Sequence, residues 1–136
     1  MYPAQFIKST SSMDQTQKIL LVEDNDFVRM QIKKFLDDAG YVVAEATQGD
    51  EALNMIDETY DLAIVDVRME PVDGFEFIRT IRADDLKTPV ILVTGDQNPD
   101  LLAQSNKLGV STVLMKPVQK DRLISMVART ISMAKR

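Results

Sequence analysis

Six polar residues each stand at or just past the end of an apolar run. They are Glu23, Asp24 and Asp26 after Ile19-Leu20-Leu21-Val22, Asp66 after Leu62-Ala63-Ile64-Val65, Thr94 after Val90-Ile91-Leu92-Val93, and Lys116 after the run from Val110 to Met115. Brought to one rim, three carboxylates repel one another and either protonate or recruit a cation. The chain has neither histidine nor cysteine, so the available ligands are hard oxygens, which suit Mg²⁺ or Mn²⁺ rather than zinc. Glu23, Asp24 and Asp66 carry about −3 together, and Mg²⁺ with Lys116 about +3, so the filled site is near neutral. A carboxylate beside such an ion, a lysine and a hydroxyl is equipped to attack a phosphoryl group, a transfer that needs in-line positioning and charge neutralisation more than proton movement.

The composition sets limits on the alternatives. Absent histidine and cysteine exclude Ser-His-Asp and Cys-His nucleophiles, histidine metal ligands and any disulfide framework. The 136 residues fit one domain, and 45% hydrophobic against 27% charged residues is the balance of an ordinary globule. Sixteen basic against 21 acidic residues leave a net charge of −5, which disfavours a direct nucleic-acid or anionic-membrane partner. With no transmembrane or signal-peptide run, a cytoplasmic location is expected. Residues 1–17, rich in Ser, Thr and Gln, read as a flexible leader, and residues 18–136 as the domain.

Parallel strands covered on both faces read as unbroken apolar runs, and residues 19–22, 62–65 and 90–93 have that form. Tyr41 to Ala46 alternates and contains Glu45, which predicts an edge strand, and Val110 to Met115 predicts a fifth strand. Between the runs lie helical stripes: Val28, Ile32, Phe35, Leu36 and Ala39 ending at Gly40; shorter ones around Ala52, Leu53 and Ile56, around Phe75, Ile78 and Ile81, and around Leu101, Leu102 and Leu108; and a last one on Leu123, Val127 and Ile131. Five β-α units predict an α/β fold with one doubly wound parallel sheet, whose ligand site lies at the carboxyl ends of the strands. Asn25 and Asp26 also suit helix capping, Asp73-Gly74 a turn and helix start, most of the eight methionines core filling, and the basic side of the last helix a solvated face.

Taken in order, Ile19-Leu20-Leu21-Val22-Glu23-Asp24-Asn25, Asp61 to Met69 with Asp66 inside it, Val72-Asp73-Gly74-Phe75, Pro89 to Gly95 and Met115-Lys116-Pro117 resemble a response-regulator receiver domain of two-component signalling over residues 18–134. The resemblance implies a flavodoxin-like strand order of 2-1-3-4-5. It implies phosphorylation of Asp66 by a phosphohistidine donor. It also implies Mg²⁺ held by Asp24, by Glu23 directly or through water, by Asp66 and by the backbone carbonyl of Arg68, with Thr94 and Lys116 on phosphoryl oxygens. A cis peptide at Lys116-Pro117 is expected on the same ground. Two positions depart from the pattern: Val113 stands where an aromatic switch residue is usual, and Glu70-Pro71 places proline one residue late after Met69.

The implied partners are a sensor histidine kinase or histidine phosphotransfer domain and a downstream protein target, with a monomer or phosphorylation-dependent homodimer as the assembly. The chain stops soon after its last helical stripe, so a stand-alone regulator signalling by protein contact is expected, with a relay intermediate as the alternative. A phosphorylation-independent module and an aspartyl-phosphate hydrolase are the other readings. The hydrolase wants a second aspartate two residues after the nucleophile, where this chain has Arg68. Arg68 and Asp96, each two residues past a site residue, are expected to face each other and gate the approach of water.

Overall fold

The computed structural model describes residues 16–96 and 98–134. Ten elements alternate along the chain: β1 Lys18–Val22, α1 Asp26–Asp38, β2 Val42–Ala46, α2 Gly49–Met55, β3 Leu62–Asp66, α3 Gly74–Ala83, β4 Val90–Thr94, α4 Pro99–Lys107, β5 Thr112–Met115 and α5 Lys120–Ala134. The strands form one parallel sheet in the order β2-β1-β3-β4-β5, as expected. Most of the expected leader, residues 1–15, lies outside the described residues; Gln17 O accepts the Val42 N–H at 2.9 Å.

Strand alternation divides the core in two. Ile19, Leu21, Leu62, Ile64, Ile91 and Val93 face α1 and α5, meeting Ile32, Leu36, Leu123, Val127 and Ile131. Leu20, Val22, Ala63, Val65, Val90 and Leu92 face the other layer, meeting Ala52 of α2, Phe75, Phe77, Ile78 and Ile81 of α3, and Leu101 of α4. Every residue of β3 and β4 is buried, so their apolar runs have no polar face to show until the strands end. At those ends the chain must turn polar, and Asp66 and Thr94 sit there.

Two strands begin later than the apolar patterns suggest, for one reason. After α1, the Gly40 N–H donates to Asp37 O and the Tyr41 N–H to Leu36 O; after α4, Gly109 donates to Asn106 O and Val110 to Ser105 O. Tyr41 and Val110 thus complete their helix caps, and the strands start at Val42 and Thr112. The caps need a left-handed residue, supplied by Gly40 at φ +93° and Gly109 at φ +69°. The end of α3 has the same pair of bonds, from Asp85 to Arg82 O and Leu86 to Ile81 O, with Asp85 at φ +63°.

Three side-chain expectations are corrected. Leu102 does not join the α4 stripe: it is half exposed while Leu101 is buried. Methionine is less of a core filler than its hydrophobicity suggests: Met69 is buried and Met55 and Met126 are partly so, but Met30, Met115 and Met133 lie at the surface. Asp26 does not cap α1; Asn25 does, accepting the Val28 N–H at 2.9 Å, and Asp26 sits in the first turn. Asp73 does cap α3, accepting the Glu76 N–H at 2.8 Å.

Gly74 brings α3 against the end of β3. A Cβ there would lie 2.6 Å from the Asp66 carbonyl oxygen and 3.0 Å from Val67 Cα, both backbone atoms. Gly74→Ala is therefore expected to destabilise the protein by about 1 to 3 kcal/mol. The variant's denaturant midpoint measures the loss, and a midpoint equal to the parent's would show that the β3–α3 junction yields freely.

Candidate functional site

The β1–α1 turn carries the first acidic pair. Glu23 is 1% exposed: its N–H donates to Ala46 O at 3.1 Å, and its Oε2 accepts the Asn25 N–H at 3.1 Å. Asp24, the next residue, is exposed at the mouth. Asp66 closes β3 and is 5% exposed, with the Arg68 N–H 3.4 Å from its Oδ1. The structure brings an oxygen of each of Glu23, Asp24 and Asp66 to within 4.8 Å of the others.

Lys116, at the end of β5, reaches into the cluster. Its Nζ lies 3.1 Å from Glu23 Oε1 and 3.4 Å from Asp66 Oδ1. Neither carboxylate monopolises it, and Glu23 Oε1 is the buried side-chain atom among the described residues that lacks a well-aligned hydrogen bond. Burial alone would lower the lysine's pKa, but Asp66 and Glu23 more than offset it and the ammonium is held above its usual range. The peptide before Pro117 is cis, as expected, and so is Glu70-Pro71. Thr94 is 1% exposed, and its Oγ1 accepts the Asp96 N–H at 3.0 Å, leaving the hydroxyl hydrogen free to donate elsewhere.

Burial, reinforced by the Asp66 charge, pushes the Glu23 carboxyl up to about 7, against the opposing pull of the Asn25 N–H and Lys116. Above pH 7, two largely buried carboxylates and one ammonium leave an uncompensated negative charge. The open cleft above it, about 960 Å³, adds Asp26, Glu70, Asp73, Asp96 and Asp100, with Arg68 as the cation of its lining. A dianionic phosphate could not enter such a mouth without a counter-cation. A buried carboxylate oxygen without a well-aligned hydrogen bond, a converging all-oxygen donor set and an excess of negative charge fit a hard divalent ion.

That balance has a measurable pH dependence. A carboxyl with a folded-state pKa near 7 and an ordinary value near 4.5 binds its proton more tightly in the folded protein. The metal-free protein should therefore lose about 1 to 3 kcal/mol of stability as pH rises from about 4.5 to about 7, then level off. A Mg²⁺ ion held there would displace that proton, so its affinity should fall by up to about tenfold per pH unit below 7. Calorimetric Mg²⁺ titrations at pH 5, 6 and 8 check this, and an affinity flat across that range would contradict it.

Arg68 and Asp96 do meet over the cleft, in an ion pair between Nη2 and Oδ2. The hydrogen bond from Arg68, helped by the Asn98 N–H, holds the Asp96 carboxyl below the usual carboxylate range. Val113 is partly buried against the core cluster of Leu20, Val65 and Leu92. Arg29 escaped the sequence reading: its guanidinium binds the Glu23 carbonyl, Asp26 and Glu45 together. Only the Asp26 contact, three residues away on one helix, has a sequence signal.

No described helix is long and apolar enough to cross a membrane. Residues 19–128 match the family model described as the response regulator receiver domain. The chain is 34% identical over 109 residues to the chemotaxis protein CheY of Listeria monocytogenes, covering 79% of this chain and 92% of that protein. It is 35% identical over 119 residues to the peroxide stress-activated histidine kinase mak3 of Schizosaccharomyces pombe, covering 81% of this chain. It spans only a small part of several relatives: 5% of mak3, 22% of the transcription factor SKN7 of Candida albicans and 17% of the sensor kinase/phosphatase CqsS of Vibrio cholerae. Among solved structures, the chemotaxis protein CheY4 of Vibrio cholerae superposes with a TM-score of 0.79 at 30% identity, over 85% of this chain and 98% of that one. The receiver domain of a histidine kinase from Syntrophus aciditrophicus does so with a TM-score of 0.78 at 32% identity, over 89% and 94%. With the acidic cluster, the lysine and the buried threonine gathered at the carboxyl edge of a 2-1-3-4-5 sheet, and with the family model matched from the first strand into the last helix, the chain belongs to the response regulator receiver domains, the CheY-like domains of two-component signalling.

Proposed function

We propose that this domain accepts a phosphoryl group on Asp66 from a kinase or phosphotransfer phosphohistidine. The observation that carries the reading is the convergence of Glu23, Asp24, Asp66 and Lys116. Asp24, Glu23, Asp66 and the backbone carbonyl of Arg68 would hold Mg²⁺, which supplies neutralisation of the charge on the phosphoryl oxygens. An Asp66 carboxylate oxygen attacks phosphorus in line, the donor's N–P bond breaks, and the electron pair leaves with the imidazole nitrogen, which picks up a proton. Lys116 neutralises one phosphoryl oxygen and the Thr94 hydroxyl donates to another. The domain is a phosphoacceptor that assists its own modification rather than an enzyme acting on a separate substrate. Phosphorylation with a small phosphodonor, followed by intact mass over a Mg²⁺ series, tests this: the rate should rise with Mg²⁺ and collapse in chelator, and a rate indifferent to the metal would overturn it.

Signalling is then a population shift, in which the face made by α4, β5 and α5 binds a target protein differently in the two states. Val113 cannot swing a ring inward, so the shift must run through the Thr94 loop without an aromatic rotamer. The likeness to the Listeria CheY, over 92% of that protein's length, supports a stand-alone regulator. The likeness to parts of histidine kinases supports a second reading, a relay step that passes the group on to a phosphotransfer histidine. Transfer from the phosphorylated domain to a purified histidine phosphotransfer domain separates the two.

The Arg68–Asp96 pair is proposed to lie across the path of attacking water and prolong the acyl phosphate. Arg68→Ala and Asp96→Ala should each speed dephosphorylation by about two- to fivefold, the scale of one exposed ion pair. Loss of label from the phosphorylated proteins gives the rate, and parent-like rates would remove the gate from the account.

A further inference from the structure

Arg29 binds no carboxylate of the acidic cluster, yet it is bonded to the turn that carries two of them. Its side chain is only 14% exposed. Nη1 donates to the Glu23 carbonyl oxygen at 2.8 Å, Nη2 to Asp26 Oδ1 at 2.6 Å and Nε to Glu45 Oε1 at 3.2 Å. The Glu23 N–H is already held by Ala46 O, and the Arg29 N–H itself donates to Asn25 O at 2.9 Å. Glu23 is therefore fixed at its N–H, its carbonyl and its carboxylate, and the guanidinium joins the β1–α1 turn, the first turn of α1 and the end of β2.

From this geometry we infer that Arg29 is a positioning residue for the metal, acting through the Glu23-Asp24 backbone; the inference rests on the metal reading given above. Three features of the contact favour that role over plain stabilisation of α1. The bond goes to the carbonyl between the two acidic residues, so it sets the direction in which both side chains leave the turn. Asp26 and Glu45 neutralise the guanidinium, so it neither pairs with Glu23, Asp24 or Asp66 nor takes the lysine's place. Three acceptors around one planar group require arginine's fork, which a lysine ammonium cannot reproduce.

The test is a Mg²⁺ titration of the full chain, by calorimetry and by the metal dependence of phosphorylation with a small phosphodonor, on parent and Arg29→Lys. The substitution keeps the charge and removes the fork. The apparent Mg²⁺ constant should weaken about tenfold, the usual size of losing a partner that orients a metal ligand. The phosphorylation rate at saturating Mg²⁺ should stay within about twofold of the parent, because no group that touches the phosphoryl has changed. A lower melting temperature with an unchanged Mg²⁺ constant would overturn the inference and leave Arg29 a structural residue. A parent that binds no Mg²⁺ would instead overturn the metal reading beneath it. Should Arg29→Lys fail to fold, Glu45→Ala at the exposed β2 edge removes one acceptor and leaves Arg29 in place. Measured at high salt to screen the lost charge, it should weaken Mg²⁺ by about threefold, and parent-like binding there would equally overturn the inference.

Discussion

Asp66→Asn is expected to abolish acceptance of the phosphoryl group and, in the same protein, to stabilise the metal-free fold. The amide has the carboxylate's shape but no competent oxygen anion, so the attacking atom is lost while the packing at the end of β3 is kept. Asp66 is also the principal charge that, after burial, raises the Glu23 carboxyl to about 7. Removing it relieves a like-charge contact in a buried site, and Lys116 keeps Glu23 as its partner 3.1 Å away. The gain should be about 1 kcal/mol at pH 8 and shrink toward pH 4.5, as Glu23 of the parent takes up its proton and the like-charge contact disappears. Mg²⁺ affinity should fall about 10- to 100-fold with the loss of a ligand. Urea melts at the two pH values, with and without Mg²⁺, read all three effects. A destabilised variant would mean that Asp66 is held mainly by favourable contacts and not against repulsion.

Lys116→Met should move the protein the other way. The ammonium side chain is a quarter exposed and offsets two nearly buried carboxylates at 3.1 and 3.4 Å. Without it the metal-free protein should lose about 1 to 3 kcal/mol at pH 8, less than a fully buried pair because water reaches the lysine. The loss should shrink at pH 5, where Glu23 carries its proton. Phosphorylation at saturating Mg²⁺ should slow by about 10²- to 10³-fold, the usual consequence of removing one preorganised group from the developing charge. Together the two substitutions distinguish the charges: one removes the acceptor and relaxes the site, the other keeps the acceptor and leaves it crowded. Equal stability of the Lys116→Met protein at both pH values would show that the lysine is not balancing the pair.

The sheet was legible because β3 and β4 are buried on both faces, which leaves an unbroken apolar signal and forces the first polar residue to mark the strand's end. Asp66 and Thr94 could be located for that reason alone. Glu23 and Asp24 followed from the same logic at β1, whereas the lysine follows β5, a partly buried strand with a weaker apolar signal. Less legible was anything that residue type and apolar pattern do not decide, whether a local cap or a contact distant in sequence. The two late strands begin late because Tyr41 and Val110 serve helix caps, and neither residue looks different from a strand former. Asn25 rather than Asp26 caps α1, although both suit the role. Leu102 is exposed beside a buried Leu101 because neighbouring helical residues point about 100° apart, and the nine residues of α4, about two and a half turns, are too few to show which of the two faces the core. The Arg29 clamp needs the end of β2 brought beside β1, so no local pattern announces it.

With Mg²⁺, the crowded carboxylates are proposed to become a seat for a phosphoryl group on Asp66. Intact mass measurement of parent and Asp66→Asn proteins, after incubation with a small phosphodonor in Mg²⁺ and in chelator, tests it most directly. A single phosphoryl adduct is expected on the parent in Mg²⁺ and none in the other three samples; an adduct on both proteins, or on neither, would overturn Asp66 as the acceptor.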